Sequence, residues 1–285
     1  MKMKIKFVKL SMILLLALFS CKKGTENDGN IIYSGKIKSL TLKMDNNIYQ
    51  PLKYSFYYEN GLLSKIILEN NIPNLTTALF YYDKKGFLVK RLVREEEVFV
   101  DNPQFPKIEY FYTYKYENNH ISMEIMDSTV YYKANQEILT YGGLQGDYTD
   151  FIYDNNRITT ISYNTDKTYK NALKVELAYN DLGNIINLKR YSNGEYFEQI
   201  EYSLYDDVPN PLENLKDKNG FPLLDCDWNR FWTTSTFSKN NCKQLKISEI
   251  KSLKNTSLTY LYQYNSDNYP QNIYLNQREW TIAYY

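Results

Sequence analysis

The sequence predicts an all-β protein, an antiparallel meander of Tyr-rich hairpins that forms a curved sheet or a barrel-like domain. Short runs in which apolar and aromatic residues alternate with polar ones recur along most of the chain, which predicts strands with one apolar and one polar face. Clusters of Asp, Asn and Gly separate these runs, and such residues tolerate the left-handed backbone of tight turns. Because no stretch keeps a 3.6-residue apolar period, we expect few helices.

The clearest hairpin runs from Phe151 to Tyr163, with an aromatic strand that ends in Tyr153-Asp154 and a strand that returns from Ile158. Related units, each given as a leading tyrosine and its turn, are Tyr58 with 59–61, Tyr82 with 83–86, Tyr116 with 117–119, Tyr179 with 180–183, and Tyr264 with 265–268. Their spacing is too irregular for a propeller or a solenoid, so it favours a meander. We expect the tyrosine rings to pack on cross-strand neighbours and the hydroxyls to reach water.

Residues 1–20 are typical of an export signal, with four lysines followed by a short apolar run from Leu10 to Phe19. The run ends in Leu18-Phe-Ser-Cys21, which resembles the lipobox of bacterial lipoproteins. The resemblance implies cleavage before Cys21 and its acylation, each buried methylene contributing about 0.8 kcal/mol of membrane binding. The alternative is an ordinary signal peptide with an incidental cysteine.

After the signal, residues 21–30 are predicted to form a flexible tether and residues 31–285 a single antiparallel β domain. Removal of residues 1–20, which hold four lysines and no acids, leaves 30 basic and 33 acidic side chains, a net charge of −3. This charge does not favour a nucleic-acid partner.

One segment, residues 206–241, breaks the hairpin pattern, since it contains three prolines and a compact apolar group that includes Trp228 and Trp232. Proline is excluded from central strands, so we expect an irregular, partly helical insertion that packs on the sheet or plugs an open end. The cysteines that remain after Cys21, Cys226 and Cys242, form either a disulfide worth about 3 kcal/mol or two buried thiols.

The chain resembles a family of uncharacterised Bacteroidota lipoproteins with YD-like (Tyr-Asp) hairpin repeats. The resemblance rests on Tyr153-Asp154 and its equivalents, on Tyr205-Asp-Asp-Val-Pro-Asn-Pro211, on Ser238-Lys-Asn-Asn241 and on Asn268-Tyr-Pro270. It implies a porin-like or curved sheet on a lipid anchor in the outer membrane, on either its periplasmic or its surface face. Because the family has no established activity, it supplies no catalytic residue.

Catalytic and metal-binding patterns are weak. His120 is the only histidine and lies in a polar turn, so neither a histidine-based triad nor a histidine metal site is favoured, and no cofactor is expected. The carboxylate pairs Asp206/Asp207 and Asp225/Asp227 near the tryptophans would suit a glycosidase, although Asp beside Pro and Asn is also ordinary turn chemistry.

Trp228, Trp232 and Trp280 would provide stacking platforms for a glycan or a protein partner, or else fill the core. A membrane-spanning barrel is disfavoured because counting back by twos from Tyr285 places Glu279 at a lipid-facing position. The sequence therefore favours a lipid-anchored envelope protein that binds a glycan or an envelope protein or acts as a scaffold, with a carbohydrate-active hydrolase as the alternative.

Overall fold

The computed structural model describes residues 35–44, 51–69, 75–96, 107–133, 138–142, 147–165, 169–223, 237–276 and 278–285. The predictions for residues 1–20, for the tether 21–30 with Cys21, and for Asp225, Cys226, Asp227, Trp228 and Trp232 lie outside the described residues. No helix in these ranges is long and apolar enough to cross a membrane.

The described residues form strands throughout, with one 3-10 helix, Pro211–Leu215. The strands are β1 (Ile37–Met44), β2 (Leu52–Glu59), β3 (Leu62–Glu69), β4 (Leu75–Tyr82), β5 (Leu88–Glu96), β6 (Lys107–Glu117), β7 (His120–Tyr132), β8 (Ile138–Gly142), β9 (Tyr148–Asp154), β10 (Arg157–Thr165), β11 (Tyr169–Tyr179), β12 (Ile185–Ser192), β13 (Glu195–Pro209), β14 (Asn240–Glu249), β15 (Lys254–Thr259), β16 (Leu261–Tyr264), β17 (Pro270–Leu275) and β18 (Arg278–Tyr284).

These strands form one antiparallel meander that curls into a nearly closed barrel, which confirms the predicted fold class. Strands adjacent in sequence pair with each other, except β8 with β9 and β15 with β16, and β18 pairs with β1, which also pairs with β2. β8 and β9 lie one after the other along β7, while β15 pairs with β14 and β16 with β17 on either side of Tyr260. Closure removes the exposed sheet edges that would otherwise pair with other chains.

The turns predicted from the tyrosine units all lie at one end of the barrel, because consecutive antiparallel strands alternate in direction. We call this end, with turns at 59–61, 83–86, 117–119, 154–156, 180–183 and 265–268, the tyrosine end. Three of these turns have two central residues with φ between +49° and +80°: Asn60-Gly61, Asn118-Asn119 and Asn155-Asn156. That backbone matches the twist of a tight hairpin, which explains why Asn and Gly recur there.

At the tyrosine end, a tyrosine of one hairpin donates a hydrogen bond to a backbone carbonyl of the preceding hairpin. The pairs, donor first, are Tyr82–Leu63, Tyr116–Leu88, Tyr179–Ile158, Tyr205–Ile185 and Tyr284–Pro270, with oxygen–oxygen distances of 2.5 to 2.8 Å. The predicted contact of these hydroxyls with water is therefore wrong: they join neighbouring hairpins. Burial raises the pKa of the Tyr82 and Tyr116 hydroxyls well above the usual range.

Each accepting carbonyl belongs to the residue just before a β-bulge. In β3 the extra residue is Ser64, since Tyr58 pairs with Leu63 while Tyr57 pairs with Lys65. The same slip follows each of the other four acceptors. Because a bulge interrupts the regular ladder, its carbonyl is available to a partner outside the ladder, here the tyrosine of the next hairpin.

The core lies on the inner face of the barrel, as the alternation predicts, and it includes the residues at the start of each returning strand: Leu63, Leu88, Ile121, Ile158 and Ile185. Trp280 is 1% exposed and packs in this core, so it is not a surface stacking platform.

The division between an apolar inner face and a polar outer face is incomplete. Arg91 is in register with the core residue Phe80 and forms an ion pair with Glu124 at 3.1 Å. Arg190 forms a second buried pair with Glu198 at 3.2 Å. A charge in such a place requires its partner, because removal of either member would leave an uncompensated buried charge.

Replacing Tyr82 by Phe tests the hairpin-to-hairpin hydrogen bond. The Y82F variant should lose about 1 to 2 kcal/mol of unfolding free energy, because the carbonyl of Leu63 loses its donor while the ring still packs. Urea unfolding measures the difference. Tyr81, 44% exposed on the opposite face, is the matched control, and Y81F should stay near the wild type. Equal stabilities for the two variants would contradict this role.

Candidate functional site at the tyrosine end

Part of the insertion packs into the tyrosine end of the barrel. We call the described part of the insertion, residues 210–223 and 237–239, the plug. Leu212, Leu215 and Phe221 are each no more than 6% exposed and belong to the same core as the wall strands. The Phe221 ring packs edge-on against Phe151 and Tyr114, with centroids 5.0 and 5.9 Å away. The structure thus places the described part of the insertion as a plug, one of the two arrangements that the sequence predicts.

Polar side chains fix both ends of the plug to each other. Asn210 Oδ1 accepts from the backbone N–H of Leu212, capping the 3-10 helix, and its Nδ2 donates to Ser238 O at 3.0 Å. Asp206 Oδ1 accepts from the backbone and side-chain amides of Asn241. The two sequence motifs 205–211 and 238–241 therefore meet at the base of the plug.

The insertion is shorter than predicted. β13 continues through Asp206 to Pro209, which pairs with Asn240 of β14. A register shift between Tyr205 and Pro209 places this proline at the very end of the ladder, where its missing N–H costs no central pairing.

The plug contains a small copy of the wall hairpins. Asp217 Oδ1 accepts from the N–H groups of Asn219 and Phe221, each at 2.8 Å, and Lys216 bridges to Pro222. The same side-chain-to-backbone bonding occurs in the wall turns that begin at Asp83, Asn180 and Asn265. The carboxylates of Asp83 and Asp217 thus stabilise turns, in line with the turn chemistry that the sequence suggests for its aspartates.

In this copy, lysine stands where the wall hairpins have tyrosine. Tyr82-Asp83 leads into a turn that ends at Gly86-Phe87, and Lys216-Asp217 leads into one that ends at Gly220-Phe221. Instead of a phenol bonded to a neighbouring carbonyl, Lys216 contributes an ammonium group 3.4 Å from Glu213 Oε1. A lysine at the repeat's tyrosine position was a readable sequence signal, and the sequence interpretation missed it.

A cavity of about 250 Å³ lies between the plug and the turns of the wall at this end. Its walls come from the turn at 155–158, from Tyr179 and Gly183, and from the plug. Its charged lining residues are Arg157, Glu213, Lys216 and Lys239. Three cationic groups and one carboxylate thus converge from segments that are distant in sequence.

The cationic groups influence one another. Burial lowers the pKa of Lys216; Lys239 and Arg157 lower it further, whereas Glu213 raises it. Arg157 is oriented by a hydrogen bond from Nη1 to Asn180 O at 3.1 Å and lies over the ring of Tyr179.

Gly183 permits this convergence. Its φ is +89°, and a Cβ there would lie 3.1 Å from the Lys239 stem and 3.2 Å from Arg157 Nη2. A side chain would be strained in this backbone and would press on both cations.

The predicted carboxylate site is only partly within the described residues. Asp206 accepts hydrogen bonds from Val208, Asn241 and the hydroxyl of Tyr264, so its oxygens hold strands and plug together. Asp207 is exposed. Both line an open groove of about 750 Å³ beside β12 and β13, which shares no lining residue with the charged cavity.

The other candidate residues within the described ranges, His120 and Cys242, make contacts that stabilise the fold. His120 stacks on Tyr153, and its Nε2 lies 3.0 Å from Asn156 Oδ1. Cys242 is buried, its Sγ lies 3.1 Å from Gln244 O, and burial raises the pKa of its thiol to about 11. Its pairing with Cys226 stays a prediction. Within the described ranges, no group of three or more His, Cys, Asp or Glu side chains could hold a metal ion.

No protein-family model and no curated protein match this chain. Among solved structures it is similar to a porin-like protein from Bacteroides vulgatus, with 9% identity, 88% of this chain and 98% of the other covered, and a TM-score of 0.39. It is similar to a porin-like protein from Bacteroides uniformis, with 9% identity, coverage of 87% and 96%, and a TM-score of 0.36. A Tc holotoxin pore from Photorhabdus luminescens matches at 10% identity over 78% of this chain and 12% of that one, with a TM-score of 0.27. Similarities this distant support no conclusion about the function of this chain. The fold is assigned from its own strand pairing.

Two aspartates at equivalent turn positions should respond oppositely to replacement by Asn. Burial raises the pKa of Asp217, so its charge weakens the fold at neutral pH, and this penalty disappears as the pH falls through the raised value. A hydrogen bond from the Phe87 N–H lowers the pKa of exposed Asp83, so its charge stabilises the fold until the pH falls through the lowered value.

We therefore expect D217N to raise the urea midpoint at neutral pH and D83N to lower it, since Asn keeps the turn acceptor in both. The D217N difference from the wild type should shrink on acidification to about pH 4, whereas the D83N difference should persist there and shrink only as the pH falls below the usual Asp value of about 3.9. Shifts of the same sign in both variants would contradict the assignment.

Proposed function

We propose that the protein is a binding module of the cell envelope, held on the outer membrane by an acylated Cys21, with its ligand site in the cavity at the tyrosine end. The observation that carries the proposal is this cavity, which is formed jointly by the barrel turns and the plug. Mouths of β-barrels and loops on a rigid scaffold are where ligand sites of this kind are found.

The frame around the cavity supports a preorganised site. The Tyr179 hydroxyl donates a hydrogen bond to Ile158 O, and the N–H of Asn184 donates to Asn180 Oδ1 across the turn. Ser238 Oγ accepts a hydrogen bond from the N–H of Ile185. Side chains already held in position lose less conformational freedom on binding, so more of the interaction energy appears as affinity.

The charged side chains on the outer face of the barrel support a position in water and not within a bilayer. Lys246 and Glu201, opposite each other within β14 and β13, are both about half exposed and 3.9 Å apart. Lys65, within β3, lies over the ring of Tyr57. Charges at such positions would cost about 2 to 4 kcal/mol each at a bilayer midplane. Attachment through Cys21 would place this polar wall outside the membrane.

Site-specific photocrosslinking in intact envelopes tests both parts of the proposal. Benzoylphenylalanine would replace Asp181, an exposed residue in the turn that carries Gly183, or Lys251, an exposed residue in the β14–β15 turn at the opposite end of the barrel. Each is made with Cys21 and with Cys21→Ala. We expect an adduct on the peptide containing residue 181 and not on the one containing 251, and membrane association only with Cys21.

Equal adducts at positions 181 and 251, or none at 181, would refute the site. Membrane association of the Cys21→Ala protein would refute the anchor.

A further inference from the structure

The cavity at the tyrosine end has a charge balance unlike that of the chain. After the signal, acidic side chains slightly outnumber basic ones, yet among the described residues the cavity is lined by Arg157, Lys216 and Lys239 against the single carboxylate of Glu213. An ion pair with Glu213 at 3.4 Å accounts for one of the three cations. The described part of the lining therefore carries a net charge of +2 in a recess only partly open to water.

Two of these cations are brought together by the backbone itself. Arg157 Nη2 and the Lys239 stem both approach the Cα of Gly183 closely enough that a side chain there would press on them. Like charges this close repel each other, and because Arg157 is only partly exposed the repulsion is incompletely screened, which raises the free energy of the empty cavity. A bound anion would convert that repulsion into attraction.

The third cation departs from the repeat. The hairpin copy in the plug keeps the turn at Asp217, the glycine and Phe221 but has Lys216 where the wall units have tyrosine. The side chain of Lys216 is 15% exposed and lines the cavity. A tyrosine would suffice for packing, whereas an ammonium group here adds a positive charge to the cavity lining.

Arginine and lysine together suit an oxyanion. A guanidinium presents a planar fork to carboxylate or phosphate oxygens, and ammonium groups add charge from other directions. The volume of about 250 Å³ lies below the usual range for drug-sized ligands, about 300 to 1,000 Å³, and matches a compact molecule. Tyr179 and Phe237 supply aromatic wall for its body.

We propose that this cavity binds a small acidic ligand, of about monosaccharide size, whose carboxylate or phosphate group lies among Arg157, Lys216 and Lys239. This inference rests on the proposed binding function and names the chemical class of its ligand.

Isothermal titration calorimetry on the full mature protein in non-ionic detergent and phosphate-free buffer tests the proposal. The probes are inorganic phosphate, galacturonate, and galactose as the uncharged counterpart of galacturonate. We expect phosphate, galacturonate or both to bind and galactose to give no heat. Preference for phosphate would assign a phosphorylated ligand, and preference for galacturonate a sugar acid.

Three variants locate the binding. Lys239 is exposed, so Lys239→Gln should fold normally and weaken binding of the acidic probe about tenfold. Glu213→Gln removes the carboxylate that lines the cavity and should strengthen binding. Lys246→Gln, on the outer wall, is the matched control and should leave the affinity unchanged.

Absence of heat with both acidic probes, or weaker binding in Glu213→Gln, would overturn the proposal. So would equal effects of Lys239→Gln and Lys246→Gln. If calorimetry fails while the crosslink at position 181 persists, the ligand class is wrong and the binding function stands; loss of both removes the function as well.

Discussion

The hydrogen bond from a tyrosine hydroxyl to the carbonyl beside a β-bulge is the interaction on which this structure depends. Each bulge bends its strand and frees a carbonyl from the regular ladder, and the tyrosine hydroxyl of the next hairpin donates a hydrogen bond to it, as Tyr116 does to Leu88. Five such bonds at the tyrosine end join neighbouring hairpins by side chain as well as by strand pairing. Each of these bonds thus links the bend at a bulge to the neighbouring hairpin.

The same repeat accounts for the plug and for its cavity. The turn at Asp217 is a wall turn placed inside the barrel, and Phe221 reaches the rings of Tyr114 and Phe151. Where the wall has a tyrosine that bonds a neighbour, the plug has Lys216, so one substitution within the repeat changes a structural contact into a charged lining residue. The barrel wall and the proposed ligand site thus share one hairpin pattern.

The hairpins, their turns and the single irregular insertion could be predicted from the sequence, because alternation and Asn-Gly turn chemistry act over a few residues. The destination of the tyrosine hydroxyls could not, since it depends on the distance between successive hairpins. Nor could the cavity, because Arg157, Lys216 and Lys239 come from different segments. From the sequence, Asp206 is a candidate catalytic carboxylate. In the structure it accepts hydrogen bonds from Asn241 and Tyr264.

Amide hydrogen exchange in the plug tests this account most directly. The N–H groups of Asn219 and Phe221 bond to Asp217 Oδ1 next to the core. We expect them to exchange as slowly as amides in the paired centre of β14. Exchange at the rate of the exposed turn 250–253, at the opposite end, would show that the plug is not part of the folded barrel and would contradict the cavity built on it.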